Sequence, residues 1–381
     1  MKINIFGSTG IIGNKSLYLI DKYFPNIKIN LLCANNNVTR LINQTNKYSP
    51  KYVYLHNKNK YNFLKNKINP KIKILNLKEL ELHLLNNKSD YTILAISGYK
   101  SLNFLELILQ NTLSLGLVNK ESIVSAGHLF KKFPKNIINK IYPLDSEHFS
   151  IYKNHSNNEN NLLDINKITL TASGGPFLGR KYNSLKNISV NQAKNHPKWN
   201  MGFKNSIDSA TLTNKCLEIV EAHYLFDIPY NKLDATIHPE SKIHSIIEYK
   251  NYIYKMIMFH NDMAIPIYHF LNQNFNYVLK KNIYSPKKNN QYNFYEIKNN
   301  EFPIFNFFKK LDKTEPSNII KFNVANEYAV NLFKNKIIKY TDIYKIIVKI
   351  TSLNLNYKLN NIKSIIEYHK LLERKISEKN Y

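Results

Sequence analysis

Lys2-Ile3-Asn4-Ile5-Phe6-Gly7-Ser8-Thr9-Gly10-Ile11-Ile12-Gly13 is the stretch whose reading decides the fold. Its first five residues make a short β-type run, the glycines follow at once, and Leu17, Leu19 and Ile20 continue with helical spacing. Strand, glycine turn and helix in that order form the context in which a glycine fingerprint becomes a dinucleotide site. Glycines let the backbone approach a pyrophosphate, and the helix N-terminus presents free N–H groups and the positive end of the helix dipole. A plain tight turn is the competing reading of a glycine triplet, and the flanking strand and helix weigh against it.

Working outward, further strands are expected at Ile27–Leu32, Tyr52–Leu55, Ile72–Leu75 and Tyr91–Ile96, with helical stretches between them. That alternation is the pattern of a parallel sheet, and the chain is expected to be α/β with an N-terminal Rossmann-like domain. The second strand runs into Cys33-Ala34-Asn35-Asn36-Asn37, where NAD-binding proteins place an Asp or Glu for the ribose 2′-hydroxyl. Asparagines with Thr39 and Arg40 nearby accommodate a 2′-phosphate instead, which favours NADPH over NADH. Leu115–Val118 reads as a short buried strand delivering Asn119, Lys120 and Glu121 at its carboxyl end, where open α/β sheets bind ligands.

Asp145-Ser146-Glu147-His148 follows an apolar run and Pro143. In an extended segment the two carboxylates, two residues apart, point to one face and can converge on one ion. Two hard oxygen ligands without thiolate suit Mg²⁺ or Mn²⁺; a solvated acidic loop is the bland alternative. Ile168–Thr171 then reads as a strand ending in Ser173-Gly174-Gly175, either a simple turn or a hydroxyl and exposed amides suited to an anion. His196-Pro197-Lys198-Trp199-Asn200-Met201-Gly202 holds the only tryptophan, in a loop able to close over a substrate or in a core. From Asp208 a helical pattern brings Asn214, Lys215 and Glu218 within about one turn, which reads on these residues alone as a solvated helix face or, beside the other motifs, as a third carboxylate with Asn214 and Lys215 as a phosphate grip. His238 and His244 read as structural, Ile246 to Tyr254 as one strand, and Asp262 as the start of a turn and helix.

The charge balance is Lys+Arg 54 against Asp+Glu 27, a formal net charge of +27. The lysines are spread along the whole length among Asn, Ile and Tyr, which is a compositional bias rather than a basic arm, so no nucleic-acid partner is expected. Cys33 and Cys216 stand alone and far apart, excluding a disulfide framework or a thiolate zinc site. No apolar run reaches the roughly 18 residues that span a bilayer, and no signal-peptide pattern precedes the first strand; a cytoplasmic protein without a membrane partner is expected.

Taken in order, Gly7–Gly13, Asn37–Leu41 (NVTRL), Asn119–Ser122 (NKES), Pro143–His148 (PLDSEH), Ser173–Phe177 (SGGPF), His196–Gly202, Asp208–Glu218 (DSATLTNKCLE), His238–Ser245, Asp262–Ile267 and Asn323–Glu327 (NVANE) resemble the 1-deoxy-D-xylulose 5-phosphate reductoisomerase family over nearly the full length. The resemblance implies a metal- and NADPH-dependent rearrangement and reduction of that phosphosugar to 2-C-methyl-D-erythritol 4-phosphate, in the non-mevalonate route to isoprenoids. It implies that Asp145, Glu147 and Glu218 bind the cation, with Co²⁺ a third candidate beside Mg²⁺ and Mn²⁺, and that these three with Lys120 are catalytic. Lys120, Ser146, Glu147 and Glu218 would hold the sugar, Ser173, His196, Ser209, Asn214 and Lys215 its phosphate, and Trp199 with Met201 the closing loop. Thr9, Gly10, Ile11, Ile12, Asn35, Asn37, Asn119, Glu121 and Gly202 would contact NADPH.

The expected organisation is an NADPH domain over 1–144, a central α+β catalytic domain over 145–272, a linker over 273–308 and a C-terminal helical domain over 309–381. A homodimer follows from the family alone. Asn35-Asn36 stand where a Gly-Lys pair is common, Phe149 where Asn is usual, and Ala264 where Arg is usual. A plain NADPH dehydrogenase and a basic nucleic-acid-binding protein are the readings from other classes. The three carboxylates speak against the first, and the retained polar groups against the second.

Overall fold

The computed structural model describes residues 1–155, 164–198, 202–279, 291–355 and 357–379. The chain folds as two compact units, one of Met1–Ser122, Lys131–Phe149 and Asp262–Tyr284, the other of Ile123–Phe130, Ser150–Asn261 and Ser285–Tyr381.

In the first unit β1 (Lys2–Phe6), β2 (Lys28–Ala34), β3 (Tyr52–Leu55), β4 (Lys73–Leu75), β5 (Ser89–Leu94), β6 (Thr112–Leu117) and β7 (Ile141–Pro143) form one sheet in the order β4-β3-β2-β1-β5-β6-β7. Every pairing is parallel. Ile3, Ile5, Leu31, Leu32, Val53 and Ile93 are fully buried, the near-continuous apolar runs that a sheet covered on both faces requires. The helices α1 (Ile11–Tyr23), α2 (Val38–Tyr48), α3 (Tyr61–Lys65), α4 (Leu77–Asn86) and α5 (Leu102–Asn111) connect the first six strands, α7 (Lys135–Ile138) precedes β7, and α6 (Lys120–Ala126) and α8 (Ser146–His155) each begin in this unit and end in the second. The order reverses between β1 and β5, so the crevice outside their carboxyl ends is the topological switch point where such sheets bind ligands.

The second unit is built on β8 (Ile165–Ala172), with α9 (Val190–Lys194), α10 (Phe203–Ala210), α11 (Thr213–Phe226), β9 (Leu233–Ile237), β10 (Ile243–Tyr249) and β11 (Tyr254–Met258) following. Its sheet runs β11-β10-β8-β9, with β8 and β9 parallel and β8, β10 and β11 antiparallel. The helix α12 (Ala264–Leu271) returns to the first unit, where the Phe270 ring meets Tyr91 at 5.4 Å and Tyr142 at 5.5 Å. The helices α13 (Pro303–Lys310), α14 (Pro316–Lys334), α15 (Asp342–Thr351) and α16 (Ile362–Lys379) complete the second unit. This α/β architecture agrees with the sequence reading of a Rossmann-like N-terminal half and helices at the C-terminal end.

Four local expectations need correction. Asp145 and Glu147 do not share a face of an extended segment: Asp145 precedes α8 and Glu147 lies in its first turn, with the Phe149 N–H donating to the Asp145 carbonyl at 2.8 Å. Asp, Ser and Glu are residues that favour a helix start, and that local preference overrides the strand reading. The single strand over Ile246–Tyr254 is two strands of a hairpin, turned at Asn251-Tyr252, where Tyr252 takes φ 64° and the Asn251 side chain accepts from the Ile253 N–H. Strand β9 was not foreseen. The helix α13 begins inside the stretch read as linker and runs two residues past it, with Pro303 in its first turn and Ile304, Phe305 and Phe308 on its buried face.

Candidate active site

At the carboxyl end of β1 the Gly7 and Ser8 N–H groups both donate to the Cys33 carbonyl, at 2.9 and 3.0 Å, which pins the turn to the end of β2. Gly7 takes φ +81°, and a Cβ there would lie 2.4 Å from the Ala95 carbonyl oxygen beyond β5. A Cβ on Gly13 would lie 2.4 Å from the Gly7 oxygen and 2.5 Å from the Ser8 Cα. Both glycines are therefore demanded by backbone crowding, and the turn stays tight enough to aim the first N–H groups of α1 outward. Gly10 is the residue before α1, and Ile11 is 56% exposed at its first turn. The Thr9 carbonyl accepts from Arg40 Nη1 at 2.9 Å and from the Asn14 amide at 3.1 Å, which places a guanidinium beside the turn.

Asn37 caps α2, its side chain accepting from the Arg40 N–H at 3.1 Å. Lys60 donates to the Asn36 carbonyl at 3.0 Å and Asn57 to the Asn36 side chain at 3.0 Å. Lys60, which the sequence did not single out, is thus a second cation at the end of β2; it is 26 residues beyond that strand, so only the fold reveals it. Asn119 is buried, and its amide donates to Glu121 at 2.8 Å and to the carbonyls of Ile96 and Gly98. Its oxygen accepts from the Ser122 N–H and the Ser101 hydroxyl. Asn119 and Glu121 are therefore brought together as a buried brace that ties the loop after β5 to the start of α6.

Lys120 opens α6 and its ammonium lies 2.5 Å from Asp145 Oδ2, with both side chains mostly buried. The buried His148 ring approaches Asp145 Oδ1 at 3.3 Å, and the Ser146 hydroxyl donates to Glu147 at 2.6 Å. Burial alone would raise the Asp145 pKa; the Lys120 charge, then the His148 contact, outweigh it and hold the carboxyl well below its usual range. Phe149 turns inward with its ring 5.4 Å from His269 and 6.2 Å from Tyr142. Ala264 lies at the buried start of α12, where its N–H donates to Asp262 and Lys15 pairs with the same carboxylate at 2.7 Å.

In the second unit β8 ends at Ser173, whose hydroxyl meets His196 Nε2 at 2.9 Å and Ser209 Oγ at 3.5 Å and accepts from the Gly175 N–H at 3.1 Å. Gly174 and Gly175 take φ +81° and +66°, so the anion-suited reading of this turn has the backbone it needs. Burial lowers His196 to about 4, so its ring is neutral at physiological pH. Gly202 is the residue before α10, and Leu212, in the left-handed region at φ 58°, swings the chain from α10 into α11. On α11 the Asn214 amide and the Lys215 ammonium both bond to the Glu218 carboxylate, and Lys215 and Glu218 are almost wholly buried. The structure thus groups Ser173, His196 and Ser209 in one cluster and Asn214, Lys215 and Glu218 in another. Trp199 and Met201 lie outside the described residues.

A glycine turn at the switch point of a parallel sheet, with cations at the end of β2, and a buried Lys–carboxylate pair in each unit fit an enzyme of the NADP-dependent oxidoreductase class. The models of the 1-deoxy-D-xylulose 5-phosphate reductoisomerase family match residues 3–127, those of its C-terminal domain residues 141–226, and those of a further C-terminal domain residues 258–375. The reductoisomerase of Sulfurihydrogenibium sp. is 36% identical over 377 residues, covering 99% of this chain and 96% of its own length. That of Pelagibacter ubique is 37% identical over 353 residues, covering 92% and 90%. Among solved structures, the reductoisomerase from Zymomonas mobilis in complex with NADPH superposes with a TM-score of 0.85 at 28% identity over 98% of this chain and 97% of that one. A DOX-P reductoisomerase in complex with NADPH, fosmidomycin and magnesium gives 0.86 at 28% identity over 100% and 98%. The chain belongs to the 1-deoxy-D-xylulose 5-phosphate reductoisomerase family.

Proposed function

We propose that this chain catalyses the NADPH-dependent, divalent-metal-dependent rearrangement and reduction of 1-deoxy-D-xylulose 5-phosphate to 2-C-methyl-D-erythritol 4-phosphate. The observation that carries the reading is the end-to-end family match, in which family models cover both units of the fold. NADPH fits the first unit because the glycine cradle admits a pyrophosphate and Arg40 and Lys60 stand where a 2′-phosphate would lie. Thr9, Gly10, Ile11, Ile12, Asn35 and Asn37 line that path; Asn119 and Glu121 shape it as a brace, and Gly202 is assigned by family position.

Asp145, Glu147 and Glu218 offer carboxylate oxygens only, which fits Mg²⁺ or Mn²⁺. Asp145 and Glu218 each carry a lysine partner, Lys120 and Lys215, so their charges are compensated before a cation arrives. Bound by these carboxylates, the cation supplies Lewis-acid polarisation of the substrate ketone and the adjacent hydroxyl. Lys120 and Ser146 orient the sugar backbone while the carbon skeleton is cleaved and rejoined in a retro-aldol and aldol sequence. Ser173, Ser209, Asn214, Lys215 and the neutral ring of His196 receive the phosphate and fix the substrate end to end. NADPH supplies the hydride for the aldehyde so formed. Trp199 is assigned to the substrate by family position.

Most of the NADPH groups fall in 1–144 and most of the metal and substrate groups in 145–272, with Lys120 and Gly202 the exceptions, and the helices of 309–381 follow α13. A homodimer is supported by β11, an edge strand whose Tyr254, Met256 and Met258 are 57%, 45% and 42% exposed on one face. No helix among the described residues is long and apolar enough to cross a membrane. We place the enzyme in the cytoplasm, with no nucleic-acid partner, since the lysines form no single basic arm. Oxidation of NADPH by the purified protein, dependent on both the phosphosugar and Mn²⁺, tests the reading; oxidation without metal would refute it.

A further inference from the structure

The helix α10 is only eight residues long, too short to hold its own geometry, yet it carries Ser209 and feeds directly into the turn that starts α11. What fixes it is Asp208, one of the most buried carboxylates of the second unit, 1% exposed. One Asp208 oxygen accepts from the Lys204 ammonium one turn back at 2.8 Å. The other accepts at 2.8 Å from the amide of Asn326, a fully buried residue of α14 that is 118 positions away in sequence. A buried carboxylate is tolerated only when its oxygens are matched, so the Asn326 amide locks the register of α10 against α14.

The geometry around α10 leaves little slack. Ser209 follows Asp208 and stands 3.5 Å from Ser173 Oγ, and a Cβ on Gly175 would meet the Ala210 Cα at 2.7 Å. Thr211 bonds to Thr213 through their hydroxyls at 2.8 Å, and Leu212 occupies the left-handed region between them. A shift of α10 is therefore passed to both anion clusters at once, to Ser173 through Ser209 and to Asn214 and Lys215 through the rigid corner.

We infer that Asn326, acting through Asp208, is a positioning residue for the phosphate end of the substrate. This rests on the assignment of Ser173, Ser209, Asn214 and Lys215 to the substrate phosphate. Neither Asn326 nor Asp208 touches substrate; their carboxylate–amide bond sets the spacing of the groups that do.

The test compares wild type, Asn326→Asp, Asp208→Asn and the double variant Asp208→Asn/Asn326→Asp, which restores a carboxylate–amide pair with its polarity reversed. Asn326→Asp sets two carboxylates face to face, and a misplacement of this kind costs on the order of ten- to a hundredfold. The expected result is a KM for the phosphosugar raised at least about tenfold, an NADPH Kd within about twofold of wild type, and substantial recovery in the double variant. Equal loss of NADPH affinity, or a double variant no better than its parents while all four share the wild-type circular dichroism, overturns the inference. A titration with inorganic phosphate, followed by calorimetry, keeps it separate from the assigned reaction. If wild type binds phosphate but does not turn over, the reaction assignment falls, and the inference stands only if Asn326→Asp weakens phosphate at least about fivefold and the double variant restores it. Wild type that binds no phosphate overturns it.

Discussion

Gly13→Ala sets two effects of opposite sign against each other. Gly13 lies in the first turn of α1, where alanine is the better helix former by about 1 kcal/mol. The added Cβ would, however, fall 2.4 Å from the Gly7 oxygen and 2.5 Å from both the Ser8 Cα and the Ser8 oxygen, all of them backbone atoms. The Gly7 oxygen would have to retreat by about 0.6 Å merely to reach 3.0 Å, a separation still tighter than ordinary contacts. It accepts the Gly10 N–H at 3.0 Å, while the Gly7 and Ser8 N–H groups are tied to the Cys33 carbonyl, so the turn cannot move without losing those bonds. Overpacking costs about 1–3 kcal/mol, and rigid backbone neighbours place this site at the upper end, leaving a net destabilisation of about 1–2 kcal/mol after the helix gain.

The same displacement turns the N-terminus of α1 away from a pyrophosphate. A loss of at least tenfold in NADPH affinity, about 1.4 kcal/mol, is expected. NADPH fluorescence titration and thermal unfolding of the cofactor-free protein read the two effects independently. A higher melting temperature with an NADPH Kd within twofold of wild type would show that the glycine was a helix defect and that crowding at the turn does not decide the site.

Gly175→Ala, with φ +66° and a Cβ 2.7 Å from the Ala210 Cα, is expected to raise KM for the phosphosugar while leaving the NADPH Kd unchanged, read by steady-state kinetics beside the cofactor titration. His369, buried against the Ser125 hydroxyl at 3.0 Å, is lowered by burial to about 3. Its folded value lies below the ordinary value of about 6.5, so the unfolded chain takes up the proton first; the stability it gives is full above pH 6.5 and is lost as pH falls toward 3, by about 3 kcal/mol near pH 4.5. Urea unfolding from pH 7 to 4.5 should show that slope in wild type and a flatter one in His369→Gln; equal slopes would remove His369 from the account. Met256→Lys, in the exposed row of β11, should shift a dimer to monomer in size-exclusion chromatography with light scattering, and an unchanged mass would place the interface elsewhere.

The glycine turn was legible because its chemistry is local: Gly7 and Gly13 are required by atoms within a few residues or by the end of a neighbouring strand, and no other residue type fits. The parallel sheet was legible because short strand runs alternate with helical stretches along the first part of the chain. Two of the misreadings share one cause, in that a short alternating or acidic segment carries no signal for where pairing stops. Tyr249 and Tyr254 keep one alternation going across the Asn251-Tyr252 turn, and Asp145-Ser146-Glu147 serves equally as a strand edge or a helix start. Lys60 at the end of β2, the Asn119–Glu121 brace and the Asn326–Asp208 bond depend on residues far apart in the chain and emerge only once the fold is in hand. Asp145, Glu147 and Glu218 were nameable as candidate metal ligands through the ordered set of motifs that resembles the family, since the spacing of Asp145 and Glu147 alone leaves a solvated acidic loop open.

The central claim is that carboxylates held by Lys120 and Lys215 run metal-dependent chemistry on a phosphosugar with hydride from NADPH. Its most direct test is NADPH oxidation with 1-deoxy-D-xylulose 5-phosphate, with and without Mn²⁺, in wild type and Glu218→Gln. Metal-dependent turnover in wild type, reduced by at least about a thousandfold in the variant while NADPH affinity is retained, is the predicted result, a loss of about 4 kcal/mol of transition-state stabilisation. Turnover that survives without metal, or that Glu218→Gln leaves intact, would contradict it.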